Sequence, residues 1–140
     1  MKTNSKVTFK NVEKIICTVL LTTPEEMHEK TRRREVVKAR QLSMLIMRKY
    51  TKNTLATIGW YYRKDHATVL HSLRVIENLL DINDHYYAEK IIQVMELVET
   101  MLVQDREAMQ RLSEKYQAPA ETLINIYNDL KVINEIGAGN

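Results

Sequence analysis

Asp65 and His66 stand side by side in Arg63-Lys64-Asp65-His66-Ala67-Thr68-Val69-Leu70-His71, the stretch richest in groups that can do chemistry. As an acid–base pair they lack support. Neighbours at a helix start point different ways, and nothing nearby supplies a nucleophile or a third member. As metal ligands, His66 and His71 are five apart, not the three or four that puts two side chains on one helix face. Hydrogen bonding is the chemistry that fits. Asp65 is a good helix N-cap, its carboxylate accepting the free N–H groups of a first turn. A helix opening there presents Asp65, His66, Ala67 and Thr68 at its leading edge, where recognition helices of helix-turn-helix proteins meet base edges. Upstream, Arg32-Arg33-Arg34 places cations to hold phosphates. These residues point to a non-enzymatic unit that binds duplex DNA and takes no cofactor or metal.

The charge distribution supports that reading. The net charge of +3 is mild. Residues 28–75, however, carry 12 Lys/Arg against 3 Asp/Glu, a balance of +9, and residues 76–140 carry 5 against 12, a balance of −7. A solvated helix surface mixes both signs, whereas basic charge confined to one segment suggests a face for a polyanion. With 140 residues, the chain fits one domain or a small domain with an extension. Two prolines, three glycines and abundant Leu, Ile, Val, Met, Glu and Lys indicate an all-α chain with short loops. The single Cys17 excludes an internal disulfide framework and fits a reducing cytoplasm. No apolar stretch approaches the roughly 20 residues needed to span a bilayer, and Ile15–Leu21 lacks the layout of a signal peptide.

The elements that must position these groups follow from periodicity. Phe9, Val12, Ile15, Ile16 and Val19 predict a helix over Phe9–Leu20. Thr23-Pro24-Glu25-Glu26 is a capping-box start for a short helix that ends near Lys30, where a basic loop begins. A third helix is expected from Glu35 to Tyr50. Its Val36, Leu42, Leu45, Ile46 and Tyr50 face inward, leaving Lys38, Arg40, Gln41, Arg48 and Lys49 able to reach water or phosphate. Thr54 caps a helix over Leu55–Tyr62. In it Leu55, Ile58 and one or more of Trp60, Tyr61 and Tyr62 pack inside, and helical spacing favours core over a stacking platform for these aromatics. Arg63-Lys64 is the turn. The next helix runs from His66 to about Leu80, with Val69, Leu73, Ile76 and Leu80 buried and Ala67, His71, Arg74 and Asn78 outward. His28 and His85 read as ordinary surface residues. From His85 to Tyr116 the pattern predicts one long acidic helix, whose apolar stripe includes Met95, Met101 and Met109. After a break at Ala118-Pro119, a last helix is expected to about Glu135, forming an antiparallel hairpin with the long one. The expected division is a DNA-binding domain over 1–83 and an acidic helical extension over 84–140.

The segment Arg32–Glu77 resembles the C-terminal DNA-binding domain (domain IV) of the bacterial replication initiator DnaA. The resemblance rests on Glu35-Val36-Val37-Lys38-Ala39-Arg40-Gln41-Leu42-Ser43-Met44, Thr54-Leu55-Ala56-Thr57-Ile58-Gly59, Asp65-His66-Ala67-Thr68-Val69-Leu70-His71 and Ile76-Glu77, in that order and spacing. It implies a helix-turn-helix domain of Trp-repressor-like architecture, followed here by the C-terminal hairpin. It also implies that the helix from Asp65 enters a major groove. Asp65, His66, Ala67 and Thr68 then take base-contact positions, and Arg32 enters the neighbouring minor groove. Arg40, Gln41 and Arg48 take phosphate-contact positions, and Arg33, Arg34, Lys38, Lys64, His71 and Arg74 are further candidates for phosphate contact beside them. The types suit the roles. Asp65 can accept from a cytosine amino group, His66 and Ala67 can touch a thymine methyl, and Arg32 suits a narrow A·T minor groove.

Three departures from the family's pattern stand out. Ala67 replaces the usual Thr, Ala56 sits where proline is common, and a Gly-Gly-Arg turn is shortened to Arg63-Lys64. No Gly-x-x-x-x-Gly-Lys-Ser/Thr loop is present, so no nucleotide partner is expected. The expected function is sequence-specific binding of double-stranded DNA, regulating replication or transcription in a bacterial or phage-encoded, nucleoid-associated cytoplasmic protein. The alternative is a protein–protein interaction module whose acidic hairpin makes a homodimer or docks on a replication protein.

Overall fold

A computed structural model describes residues 7–82, 84–102 and 106–116. The described residues form seven helices and no strand: α1 (Phe9–Leu20), α2 (Pro24–His28), α3 (Arg34–Thr51), α4 (Leu55–Tyr62), α5 (His66–Asp81), α6 (His85–Leu102) and α7 (Arg106–Tyr116). The expected helix after Pro119 lies outside them.

Local chemistry accounts for the helix starts. Thr8, Thr23, Thr54 and Asp65 each accept a hydrogen bond from a first-turn amide. At α2 the box closes both ways. The Thr23 hydroxyl accepts from the Glu26 amide at 3.1 Å, and the Glu26 carboxylate accepts from the Thr23 amide at 3.2 Å. The ends are less usual. In a chain so poor in glycine, α1, α3 and α4 stop at Leu21, Lys52 and Arg63, all left-handed with φ of 56°, 59° and 57°.

The central element is α3, which packs against α1, α2, α4 and α5. That explains its wide buried surface, which includes Val36, Ala39, Leu42, Met44, Ile46, Met47 and Tyr50. Buried Cys17 of α1 meets Met27 of α2 across 3.4 Å, and burial pushes the Cys17 thiol up to about 12.

The C-terminal region departs from expectation in its number of helices. The single helix predicted over 85–116 is two, α6 and α7. These pack on each other, and Lys115 reaches Glu96 at 3.8 Å, so the chain doubles back within this stretch. A straight helix rising about 1.5 Å per residue would hold residues 96 and 115 nearly 30 Å apart. Further, α6 is continuous with the main core. Ile91, Val94, Leu97, Val98 and Met101 join one buried cluster with Ile16, Met44 and Val69, and α6 packs on α1 and α5. Two side chains of α3 also tie it in: the Arg34 guanidinium lies 5.5 Å from the Tyr87 ring centroid, and the Tyr50 hydroxyl donates to Glu99 at 2.6 Å. The methionine stripe is core, with Met101 and Met109 both buried.

Candidate nucleic-acid interface

The candidate reading edge is built by α4, the turn and α5. After α4 the chain must reverse within Arg63 and Lys64. Arg63 takes the left-handed conformation, and the Lys64 amide donates back to the Gly59 carbonyl at 2.8 Å. The turn can lie this close because Gly59 has no side chain. A Cβ there would collide with the Lys64 carbonyl oxygen and stand 3.0 Å from Val69 Cγ2. Val69 and Ile76 are buried under α3 and hold α5 by its inner stripe.

That stripe turns the leading edge of α5 outward. Asp65, His66, Ala67 and Thr68 are all exposed, as are His71 and Arg74 behind them. The Asp65 carboxylate accepts from the Thr68 amide at 2.8 Å. Hydrogen bonding to Thr68 holds its pKa below the ordinary carboxylate value. The cap leaves lone pairs directed away from the helix, since a carboxylate offers about four acceptor sites. Helix polarity adds partial positive charge at this end, which favours a polyanion in front of it.

The basic loop, residues 29–33, is held from below. Arg40 of α3 was expected at phosphate. Instead it is 6% exposed, with Nε donating to the Met27 carbonyl at 2.7 Å and Nη2 to the Glu29 carbonyl at 2.9 Å. The two carbonyls at the end of α2 capture it, so it anchors the loop rather than meeting solvent. The three arginines in front then divide. Arg33 lies between Glu26 at 3.0 Å and Glu35 at 3.5 Å. Arg34 lies over Tyr87. Arg32 is exposed with no partner among the described residues, which suits an arm that reaches into a groove.

The remaining cations are less uniform than their sequence suggests. Lys38 is half-buried and donates to Gln41 at 3.2 Å; burial, and then Arg34, hold its pKa below the usual lysine value. Arg48 is exposed and donates to the Asn53 carbonyl at 2.7 Å, bracing the lead into α4. Lys64 is half-buried in the turn. Of the three aromatics of α4, Tyr62 is buried, Tyr61 is half-buried and Trp60 is 82% exposed. Tyr62 is thus the member of the three that packs inside, and Trp60 stands outside the core.

One group had no signal in the sequence. Glu13 of α1 is buried and accepts from His28 at 2.8 Å, Tyr61 at 3.1 Å and Tyr62 at 3.0 Å. A Glu beside an apolar stripe reads as a solvated flank until the partners that cover it are known. His28 is exposed, as expected, and packs its ring against both tyrosines at 4.9 and 4.8 Å. Among the described residues no group of three or more His, Cys, Asp or Glu could hold a metal, and no helix is long and apolar enough to cross a membrane.

Residues 9–76 match the family model for the bacterial DnaA protein helix-turn-helix. The chromosomal replication initiator protein DnaA of Bacteroides thetaiotaomicron is 36% identical over 84 residues, covering 59% of this chain and 18% of that protein. Its counterpart in Flavobacterium psychrophilum is 37% identical over 82 residues, covering 58% and 17%. That of Gloeobacter violaceus is 38% identical over 77 residues, covering 54% and 17%. The chain spans less than a fifth of the length of these curated relatives.

Proposed function

With residues 9–76 belonging to the bacterial DnaA helix-turn-helix family, we propose that this chain binds double-stranded DNA sequence-specifically and regulates replication or transcription at the sites it occupies. The observation that carries this reading is the outward edge Asp65–Thr68 on the same body as Arg32, which has no partner among the described residues. The α5 edge reads bases in a major groove, and Arg32 enters the adjoining minor groove. In this reading Arg33, Arg34, Lys38, Gln41, Arg48, Lys64, His71 and Arg74 take the DNA backbone. Arg40 serves the same end indirectly, by fixing the loop that carries Arg32. Ala67 offers a methyl contact in place of a hydroxyl, and a thymine methyl is its natural counterpart.

The test is selection of bound duplexes from random sequence, followed by titration of the enriched duplex at several salt concentrations. A discrete enriched motif is expected, with affinity falling steeply as salt rises. Asp65→Ala and His66→Ala should lose affinity for that motif and little for scrambled duplex. Absence of enrichment, or equal loss on all duplexes, would overturn base reading by α5.

A further inference from the structure

The two arms assigned to DNA sit on different elements: Arg32 on the loop after α2, and the reading edge on α5 behind α4. A bipartite contact needs a constant spacing between them. Apolar packing alone lets helices slide, because dispersion and burial are non-directional. A directional tie between α2 and α4 would fix the spacing.

Glu13 is such a tie. Its Oε2 accepts from His28 of α2 at 2.8 Å and from Tyr62 of α4 at 3.0 Å; its Oε1 accepts from Tyr61 of α4 at 3.1 Å. The Tyr62 hydroxyl also meets Ser43 of α3 at 2.8 Å, so one carboxylate links four helices. Burial, and then the charge of Glu13, drive the pKa values of Tyr61 and Tyr62 well above the ordinary phenol value, so both hydroxyls remain donors. Glu13 is only 4% exposed. Burying a carboxylate is costly and is worthwhile for stability only when every lone pair is satisfied. Such networks are better suited to specifying one arrangement than to adding stability.

Resting on the DNA-binding reading above, we propose that Glu13 is a positioning residue, setting the spacing between the Arg32 loop and the reading edge of α5 through His28, Tyr61 and Tyr62. It touches no DNA itself. Its contribution is register: with Glu13 in place, both arms meet their grooves at once.

The experiment uses the full chain, with the enriched duplex and a scrambled one as probes. Glu13→Leu keeps the side-chain bulk and removes every polar link. The freed groups stay satisfied, since His28 and Tyr61 reach water and Tyr62 keeps Ser43. Circular dichroism and thermal unfolding check the fold. The expected result is a loss of about tenfold or more on the enriched duplex, with scrambled binding and its salt slope unchanged. Arg32→Ala should also cost less in the Glu13→Leu background than in the wild type, because a displaced loop has less to lose. A folded Glu13→Leu protein with wild-type discrimination, or an Arg32→Ala loss equal in both backgrounds, would overturn the proposal. Should Glu13→Leu not fold, Tyr61→Phe, which removes one hydroxyl at the half-exposed edge, is judged by the same two readings. Wild-type protein that prefers no duplex would refute the DNA-binding reading instead, before any variant is compared.

Discussion

The carbonyl oxygen of Lys64 occupies the space where a Cβ on Gly59 would have to stand. The contact is backbone against backbone, so no rotamer change relieves it. Gly59→Ala should therefore shift the turn and cost about 2–4 kcal/mol of stability. Urea unfolding measures the stability change. Duplex affinity should fall with it, because the same turn aims α5. An unfolding midpoint like that of wild type would show that the turn has slack.

Arg63 offers the opposite case. It holds φ near 57° without being glycine, a strain of roughly 1 kcal/mol. Arg63→Gly should relieve that strain and raise the denaturation midpoint by an amount of the order of 0.5–1 kcal/mol. Thermal and urea melts should agree on the sign. If the Arg63 side chain also meets phosphate, the salt slope of DNA binding should fall by about one.

Asp65 caps α5, and the proposed function gives it a second, separable task, reading a base. Asp65→Ser keeps a cap oxygen and should preserve helix stability, while Asp65→Ala should lose it. Both should lose preference for the enriched duplex, since neither retains a carboxylate acceptor. The pH dependence follows from the same bond. Its folded pKa lies below the unfolded one. The contribution is therefore full above the unfolded pKa and disappears as pH falls through the lower, folded value. A wild-type melting curve should decline in acid more than that of Asp65→Ala over that window, and parallel declines would rule the linkage out.

Removing the chain after Asn83 tests whether the acidic extension is a separate unit. Ile91, Val94, Leu97, Val98 and Met101 are buried in the common core. Each such side chain contributes about 1.5–3 kcal/mol when fully buried, and a domain this size has a net stability of only about 5–15 kcal/mol. The truncated chain should lose cooperative unfolding and give fast amide exchange in α1. Cooperative melting at the full-length midpoint would mean that α6 is dispensable.

Much of the architecture is written locally. Thr23 with Glu26, Thr54 and Asp65 each carry a helix start in two to four residues, because a cap needs only its own first turn. The stripes Val12–Ile15–Ile16–Val19 and Val69–Ile76 are legible for a similar reason: 3.6-residue periodicity defines an apolar face wherever it occurs. Hence the seven-residue run from Asp65 to His71 already marked the outward edge that α5 presents. Periodicity does not say which element covers a face. Arg40 reads as a surface cation until the end of α2 brings two carbonyls to it. Trp60 and Tyr62 lie two residues apart and part ways because α1 and α3 cover only one of them. Glu13 shows nothing of its role until α2 and α4 supply its donors. The division of 85–116 into α6 and α7 is likewise a tertiary outcome, for an unbroken stripe suits a straight helix and a folded pair equally well. The sequence determined where helices begin and which sides are apolar, because those are short-range properties. Only the assembled fold decided which polar groups face solvent and which tie helices together, because that depends on neighbours far away in the chain.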